Sequence, residues 1–244
     1  MLFYHFGRYL LFLKKMFSKP ETFSIYVSRT FTEMVEIGIR SLPIVAIIAL
    51  FSGAVSTVQT AYQLVSGLVS KTIIGSIVSD TVILEFAPTI TCLVLAGKVG
   101  SSIASEIGTM KVSEQIDALE VMGINSAGYL VLPKIIAGVI MVPLLIILAM
   151  FLGIYGGMMA GSMAEILPVE QFLEGARSTF KGFNVAFSLI KATTFGFIIT
   201  SVSSFQGYYT EGGALEVGRS STNAVVYSAI MILFTDYLIA QILL

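Results

Sequence analysis

Three ionisable residues, Glu85, Lys191 and Asp236, lie inside long apolar stretches of this 244-residue sequence. A charged side chain within a membrane is costly and normally faces a cavity or an oppositely charged partner. Each residue lies about eight positions from the outer end of its predicted span, so the helical rise places all three at a depth of about 12 Å. We therefore predict one polar patch in an apolar cavity that opens toward the outer face. Independent snorkelling to the interface is the alternative, and it suits Lys191 better than the short carboxylates.

The residue pattern does not favour enzymatic chemistry. The one histidine, His5, lies in the N-terminal segment, no HExxH sequence is present, and the one cysteine, Cys92, lies in an apolar run. The sequence GKVGSS at 97–102 superficially resembles a phosphate loop, but Cys92 and Val99 stand where that motif needs glycine and Ser or Thr. We therefore predict no catalytic residue, no metal site and no cofactor in this chain.

The composition is that of an integral membrane protein. Only 12% of the residues are charged, the mean hydropathy is +0.91, and uncharged apolar runs reach the length of about 20 residues that a membrane-spanning helix needs. A net charge of −1 gives no reason to expect nucleic acid as a partner. We predict an all-α fold in a single transmembrane domain, residues 1–244, with spans at 41–65, 77–105, 135–160, 183–206 and 222–244.

Residues 1–35 precede the first span and are predicted to form an N-terminal interfacial and elbow region. In a helical projection His5, Arg8, Lys15 and Lys19 share one face, as expected for an amphipathic helix in the headgroup plane, whereas an ordinary basic tail is the alternative. Lysine and arginine are enriched on the cytoplasmic side of membrane proteins. An internal N-terminus places ten such residues inside, and only Lys71, Arg177 and Lys181 outside. The ten are Arg8, Lys14, Lys15, Lys19, Arg29, Arg40, Lys98, Lys111, Lys134 and Arg219.

Two rows of small residues at four-residue spacing predict close helix packing, either within the chain or across a dimer. The first row is Gly153, Gly157 and Gly161 in the third span. The second is Gly100, Ala104 and Gly108 at the inner end of the second span.

Residues 108–123, GTMKVSEQIDALEVMG, form a charged insert between spans two and three. Ser113 is a favourable N-cap and Gly123 a favourable left-handed stop, so we predict a short cytoplasmic helix. Its apolar stripe, Ile116, Leu119 and Met122, lies beside an acidic stripe, Glu114, Asp117 and Glu120. Because so short a helix is unstable alone in water, it needs the span ends or another protein to pack against.

The sequence from Ala96 to Asn125, AGKVGSSIASEIGTMKVSEQIDALEVMGIN, resembles the signature region of the MlaE family of permeases. These permeases are the membrane subunits of MCE-type ABC transporters that move lipids between bacterial membranes. The resemblance covers nearly the whole chain through further segments in the same order. They are FGRYLLFL, SKPE, LEFAP around Glu85, LPKIIAGVIMVPLL, GIYGG, LIK ending at Lys191, FQGYY, and TDYL at Asp236.

The resemblance implies a homodimer in the inner membrane of a Gram-negative bacterium, with a lipid cavity capped by MCE-domain proteins. It implies separate ABC ATPase subunits that hold ATP and Mg, and a small cytoplasmic STAS-type subunit as an optional partner. The charged insert would be the coupling helix that docks on the ATPase. The cavity set is Glu85, Lys191, Asp236 and Tyr62. The coupling set is Glu106, Thr109, Lys111, Glu114, Asp117, Leu119 and Met122.

One departure from the family pattern is local to Glu85. Many members have Arg before this glutamate and Gly after it, whereas this chain has Leu84 and Phe86. The changed charge balance bears on the lipid headgroup that the cavity prefers.

Two other classes of function are compared with the permease. A self-contained, ion-coupled secondary transporter of a hydrophobic substrate would use the intramembrane acids, but the sequence shows no clear internal repeat and the charged insert would have no role. A membrane-embedded hydrolase needs a nucleophile with a base, which His5 does not supply.

Overall fold

The computed structural model describes the backbone of residues 2–16, 23–64 and 70–243, and the side chains of residues 7–16, 25–64 and 70–243. The side chain of His5, Lys19, the end of the first predicted span at Val65 and the C-terminal Leu244 lie outside the described residues. Every regular element in the described ranges is helical.

The described chain forms eleven α-helices, interrupted by one 3₁₀ turn and two π-helical segments. Their bounds are α1 Leu2–Met16, α2 Phe23–Ile37, the 3₁₀ turn Ile39–Ser41, α3 Leu42–Gln63, α4 Thr72–Thr81, a π segment Val82–Ile90, α5 Thr91–Leu95, a second π segment Ala96–Gly100, α6 Ser101–Val112, α7 Gln115–Val121, α8 Ser126–Met163, α9 Val169–Ser178, α10 Gly182–Tyr208 and α11 Ala214–Leu243.

Five helical stretches in the described residues are long and apolar enough to cross a membrane, which confirms an all-α membrane protein with five candidate spans. They are Ile25–Gln63, Thr72–Val112, Ser126–Met163, Gly182–Tyr208 and Ala214–Leu243. The helices extend beyond the predicted spans because hydropathy detects the apolar part of a helix, whereas the backbone hydrogen bonds continue into polar flanks. The helix of the third span, α8, begins at Ser126, nine residues before the start of that span predicted at Ile135.

The chain divides into two compact units. The first unit comprises Met1–Arg40, Leu93–Met141 and Thr194–Thr235, and the second comprises Ser41–Cys92, Val142–Thr193 and Asp236–Leu244. Each candidate span has residues in both units.

In the first unit, aromatic rings hold α1 against the C-terminal end of α10. Phe12 is fully buried, and its ring centroid lies 5.7 Å from that of Phe205 and 5.2 Å from that of Tyr208. The guanidinium carbon of Arg8 lies 3.8 Å from the ring centroid of Tyr209. Such ring and cation contacts add to the burial of apolar area. Arg8, which the helical projection assigns to a headgroup-facing side, therefore packs on the protein itself.

In the second unit, glycines allow α3 and α8 to approach at backbone distance. A Cβ atom on Gly53 would overlap the carbonyl oxygen of Gly153, and one on Gly157 would lie 2.7 Å from Thr57 Oγ1. A Cβ atom on Gly161 would lie 2.9 Å from Leu167 Cδ2. The row Gly153, Gly157 and Gly161 thus lies in a close contact between α8, α3 and the segment that follows α8. This is the arrangement in which small residues favour helix association in lipid.

The second small-residue row lies in the first unit, where α6 and the π segment before it face α10 and α11. A Cβ atom on Gly100 would lie 2.8 Å from Ser203 Oγ, and one on Gly108 would lie 3.3 Å from Thr210 Oγ1 and Val217 Cγ1. Gly108 is a residue of α6. The short charged helix was predicted to begin at this residue, and it begins later, as α7 at Gln115.

Helix α9, Val169–Ser178, was not expected from the sequence. It carries Glu170 in its first turn and Arg177 in its last, as the helix dipole favours. Its buried residues, Phe172 and Gly175, pack on α4, where a Cβ atom on Gly175 would overlap the carbonyl oxygen of Thr72. Because the helix has only ten residues, its apolar face is too short for a span search to detect.

Candidate functional site

The structure brings Glu85, Lys191 and Asp236 together in the second unit. Lys191 Nζ lies 3.1 Å from Glu85 Oε2 and 2.5 Å from Asp236 Oδ1. Three elements supply these side chains: the first π segment, α10 and α11. The single ammonium thus serves two carboxylates, and the formal charge of this three-residue charge cluster is −1.

The local backbone gives the lysine another acceptor. Lys191 Nζ donates a hydrogen bond of 3.2 Å to the carbonyl oxygen of Leu84. In an α-helix this carbonyl would accept from the N–H of residue 88, but Pro88 has none. Pro88 therefore removes the α-helical donor to this carbonyl, and Lys191 Nζ supplies a side-chain donor to it.

The three members of the charge cluster differ strongly in exposure. The side chains of Lys191 and Asp236 are 2% and 11% exposed, whereas that of Glu85 is 49% exposed. Thr89 Oγ1 donates a hydrogen bond of 3.2 Å to Asp236 Oδ2. A buried ion pair requires such additional hydrogen bonds to offset desolvation. Glu85 is therefore the member that presents charge to its surroundings, while Lys191 and Asp236 hold it in place.

Tyr62, the fourth member of the predicted cavity set, lies elsewhere in the second unit. Its side chain is 81% exposed and lines an open, apolar depression of about 490 Å³ with Ala54, Val55, Val58, Gln59 and Ala160. None of Glu85, Lys191 and Asp236 lines this depression. The structure therefore does not bring Tyr62 together with the charge cluster.

The predicted helix at 108–123 comprises the end of α6 and the whole of α7, both in the first unit. The prediction of Ser113 as its N-cap is wrong. Ser113 Oγ donates back to the carbonyl oxygen of Thr109 at 2.7 Å instead of capping the next helix. Glu114 is the residue before α7, and its φ of 59° breaks the helical path between Val112 and Gln115. Gly123 has a φ of 81°, which is the left-handed stop that the sequence predicts.

The predicted apolar stripe of α7 divides between two sides of the helix. Ile116 is only 1% exposed, whereas Met122 is 66% exposed and the neighbouring Val121 is 88% exposed. Leu119 is partly buried. Ile116 packs on the protein itself, and the exposed side of α7 carries Val121 and Met122. We call α7 with Met122 the docking helix, after the role that the family resemblance implies for it.

The predicted acidic stripe also divides. Asp117 Oδ1 lies 2.6 Å from Lys111 Nζ, an ion pair local to α6 and α7. Glu114 is exposed at the turn. Glu120 instead accepts hydrogen bonds from Lys15, Ser126 and Tyr208 on three other elements.

Two further members of the predicted coupling set lie on α6. Thr109 is exposed, and its hydroxyl donates to the carbonyl oxygen of Ser105 at 2.7 Å. Glu106 Oε2 lies 2.8 Å from Lys134 Nζ, which also lies 2.6 Å from Glu33 Oε1. The side chain of Lys134 is 3% exposed, so Glu106 helps to neutralise a buried cation within the chain.

The ion pair of Lys134 with Glu33 was not predicted from the sequence, although a signal was present. Lys134 stands between Pro133 and a long apolar run, and a lysine at that depth needs an acceptor. The sequence does not identify Glu33 as that acceptor, because the two residues are 101 positions apart.

No group of three His, Cys, Asp or Glu side chains in the described ranges is placed to hold a metal ion. The half-exposed Glu85 carboxylate of the charge cluster can make electrostatic contact with a polar group, and the docking helix has an exposed apolar and acidic surface.

The chain is similar to known membrane permeases. The family model described as permease MlaE matches residues 30–242. A probable ABC transporter permease protein of Rickettsia bellii is 39% identical over 218 residues, which cover 89% of this chain and 84% of the relative. The intermembrane phospholipid transport system permease protein MlaE of Haemophilus influenzae is 29% identical over 212 residues, with 86% and 81% covered. The chloroplastic protein TRIGALACTOSYLDIACYLGLYCEROL 1 of Arabidopsis thaliana is 30% identical over 217 residues, with 89% and 62% covered.

Proposed function

The chain belongs to the MlaE permease family, and from this premise we propose that it moves phospholipids between the inner and outer membranes of a Gram-negative bacterium. It is a multi-pass membrane protein and a transport subunit of the ABC permease type, not a catalyst. We place it in the inner membrane with its N-terminus in the cytoplasm. The proposal of a lipid substrate is supported by the name of the Haemophilus influenzae relative, an intermembrane phospholipid transport system permease protein.

The observation that carries the proposal is the half-exposed carboxylate of Glu85 beside the buried pair of Lys191 and Asp236, within apolar stretches of the sequence. Acyl chains can lie against the apolar walls of the spans, while the polar part of the lipid lies near Glu85. Because Lys191 is engaged by three acceptors, the charge offered to a headgroup is negative. With Leu84 in place of the arginine of many family members, no adjacent side chain at position 84 cancels it.

Energy would come from separate ABC ATPase subunits that bind ATP and Mg. The exposed side of the docking helix supports this part of the proposal, since the adjacent apolar side chains of Val121 and Met122 are accessible to a partner. ATP-driven closure of the ATPases would push on the docking helices. The glycine-packed spans would then shift as nearly rigid bodies and change the volume of the cavity.

The proposed assembly is a homodimer of this chain with two ATPase subunits and an outer MCE-domain protein that carries lipid onward. A small cytoplasmic STAS-type subunit is an optional further partner.

The test is lipid transfer by the purified complex in vesicles, with fluorescent phospholipid and with mass spectrometry of the co-purified lipid. Glu85→Gln should reduce ATP-dependent transfer roughly fivefold, the equivalent of about 1 kcal/mol for a half-exposed charged contact. The thermal unfolding midpoint should change little, because Glu85 is half exposed. Ile47→Leu, at an apolar position that is 57% exposed, is the matched control and should transfer lipid normally. Transport by the chain alone, without any ATPase, would contradict the proposal.

A further inference from the structure

Glu120 joins the docking helix to three other elements through one carboxylate oxygen. Its Oε1 atom lies 2.8 Å from Lys15 Nζ, 2.8 Å from Ser126 Oγ and 2.9 Å from Tyr208 OH. Lys15 belongs to α1, Ser126 begins α8, and Tyr208 ends α10. Together these four residues form the Glu120 junction, and all four lie in the first unit.

The hydrogen-bond pattern favours the ionised form of the Glu120 carboxylate. Lys15 Nζ also donates to Tyr208 OH at 3.0 Å, and the Ser126 and Tyr208 hydroxyls lie 2.8 Å apart. Lysine and both hydroxyls bring protons to the junction, so a charged carboxylate is the one member that only accepts. The hydrogen bond from Lys15, with those from Ser126 and Tyr208, lowers the pKa of Glu120 to about 2. Glu120 is therefore an anion at neutral pH.

Helix α1 is firmly attached on its own side of the junction. Its Phe12 is buried among Phe205, Tyr208 and Tyr209, and Asn125 Nδ2 donates to the carbonyl oxygen of Lys15 at 2.9 Å. A displacement of the Glu120 junction therefore acts on α1 and on the end of α10 together.

The other acids of this segment do not make such a connection. Asp117 pairs with Lys111 only six residues earlier, and Glu114 is exposed at the turn. Charge-assisted hydrogen bonds from several donors hold a carboxylate more firmly than a single exposed ion pair does. Among these three acids, Glu120 is therefore the one that can transmit movement to distant parts of the first unit.

We infer that Glu120 is a positioning residue of the transport cycle, which fastens the docking helix to α1 and to the end of α10 so that the three move as one body. The inference rests on the proposed function, because it concerns the path from an ATPase to the spans. It assigns Glu120, whose side chain is 43% exposed, to bonding with the rest of the first unit, whereas Val121 and Met122 face the partner. The N-terminal helix is then a moving part of the transporter as well as a membrane anchor.

The experiment compares Glu120→Gln, Lys15→Gln and the double variant in the complete complex with its ATPase, reconstituted in vesicles. The quantity measured is ATP hydrolysed per phospholipid transferred. Each single variant should still co-purify with the ATPase, and its ATP cost per lipid should rise. The double variant should cost no more than either single one, a non-additivity on the order of two- to tenfold.

Lys15→Arg keeps the positive charge and should keep the normal ratio of ATP hydrolysed to phospholipid transferred. The comparison of Lys15→Arg with Lys15→Gln tests the inference even if a Glu120 variant does not fold. Lys14→Gln, which removes the neighbouring exposed lysine, is the matched control and should behave as the unaltered protein.

The inference is overturned if the unaltered complex works while Glu120→Gln and Lys15→Gln keep a normal ratio of ATP to lipid. It is also overturned if hydrolysis and transfer fall in the same proportion, since that result indicates a purely structural role. If the unaltered chain binds no ATPase at all, the proposed function has failed instead, and the two failures are thereby distinguished.

Discussion

Among single residues, Lys191 has the most demanding position, because it neutralises two carboxylates while almost fully buried. Removing only the lysine leaves Asp236 buried without a counter-charge, and breaking a buried pair in this way costs more than removing both partners. The charge cluster therefore makes a prediction about stability that is separate from any role in transport.

We expect Lys191→Met to lower the free energy of unfolding by about 3 kcal/mol. The double variant Lys191→Met with Asp236→Asn should recover a large part of that loss, since it leaves only the half-exposed Glu85 charged. Thermal unfolding of the detergent-solubilised variants measures both effects. Strictly additive losses would show that the two side chains do not interact as the structure has them.

The lowered pKa of Glu120 predicts how the stability of the protein depends on pH. This pKa lies at about 2 when folded, below the ordinary value of 4.5, so the unfolded chain binds the proton more readily in this interval. The stabilisation from the Lys15 and Tyr208 hydrogen bonds is therefore fully present above pH 4.5 and is lost as the pH falls toward about 2. The unfolding midpoint of Glu120→Gln should fall less steeply across this window than that of the unaltered protein. Parallel curves for the two proteins would refute the assignment.

Among the elements, the contact between α3 and α8 depends on an absent side chain. Gly53 faces the backbone of Gly153 so closely that a single methyl group must separate the helices. Overpacking of this kind normally costs about 1–3 kcal/mol. The helix pair is therefore more sensitive to small substitutions than its apolar composition suggests.

Gly53→Ala should accordingly destabilise the protein by about 1–3 kcal/mol, measured by thermal unfolding. Gly97→Ala is the matched control, because a Cβ atom there meets nothing within 4 Å. In a helix this second change should be neutral or stabilising by up to about 1 kcal/mol. Equal losses in both variants would mean that helix approach at Gly53 does not limit stability.

For the whole molecule, the exposed side of the docking helix is the surface on which a partner can bind. Ile116 is buried, and Val121 and Met122 are exposed. Substitutions at the exposed Val121 or Met122 should therefore weaken partner binding without changing stability, whereas substitutions at the buried Ile116 would change both.

Met122→Glu should abolish co-purification of the ATPase and leave the thermal unfolding midpoint unchanged, because the side chain is 66% exposed. Met163→Glu is the same substitution at a methionine that is 80% exposed and lies at the end of α8 on the predicted outer side. This control should retain the ATPase. Loss of the ATPase from both variants, or from neither, would count against a contact at Met122.

The sequence by itself determined the features that depend on local composition and spacing. Apolar runs of sufficient length require membrane helices, so the all-α class and the five candidate spans were predicted correctly. A charge in such a run needs a partner, and Glu85, Lys191 and Asp236 were singled out on that basis. Gly123 was identified as a helix stop because glycine readily adopts positive φ.

Only the tertiary structure decided which face of each helix meets which neighbour. A helical projection shows that Ile116 and Met122 share a stripe, but it contains no information on where the rest of the protein lies. For the same reason it grouped Glu120 with Glu114 and Asp117, although Glu120 bonds to residues as distant as Lys15 and Tyr208. Ion pairs such as that of Lys134 with Glu33 form between residues far apart in sequence. Their existence follows from the cost of burying a charge, whereas the identity of the partners follows only from the packing of the helices.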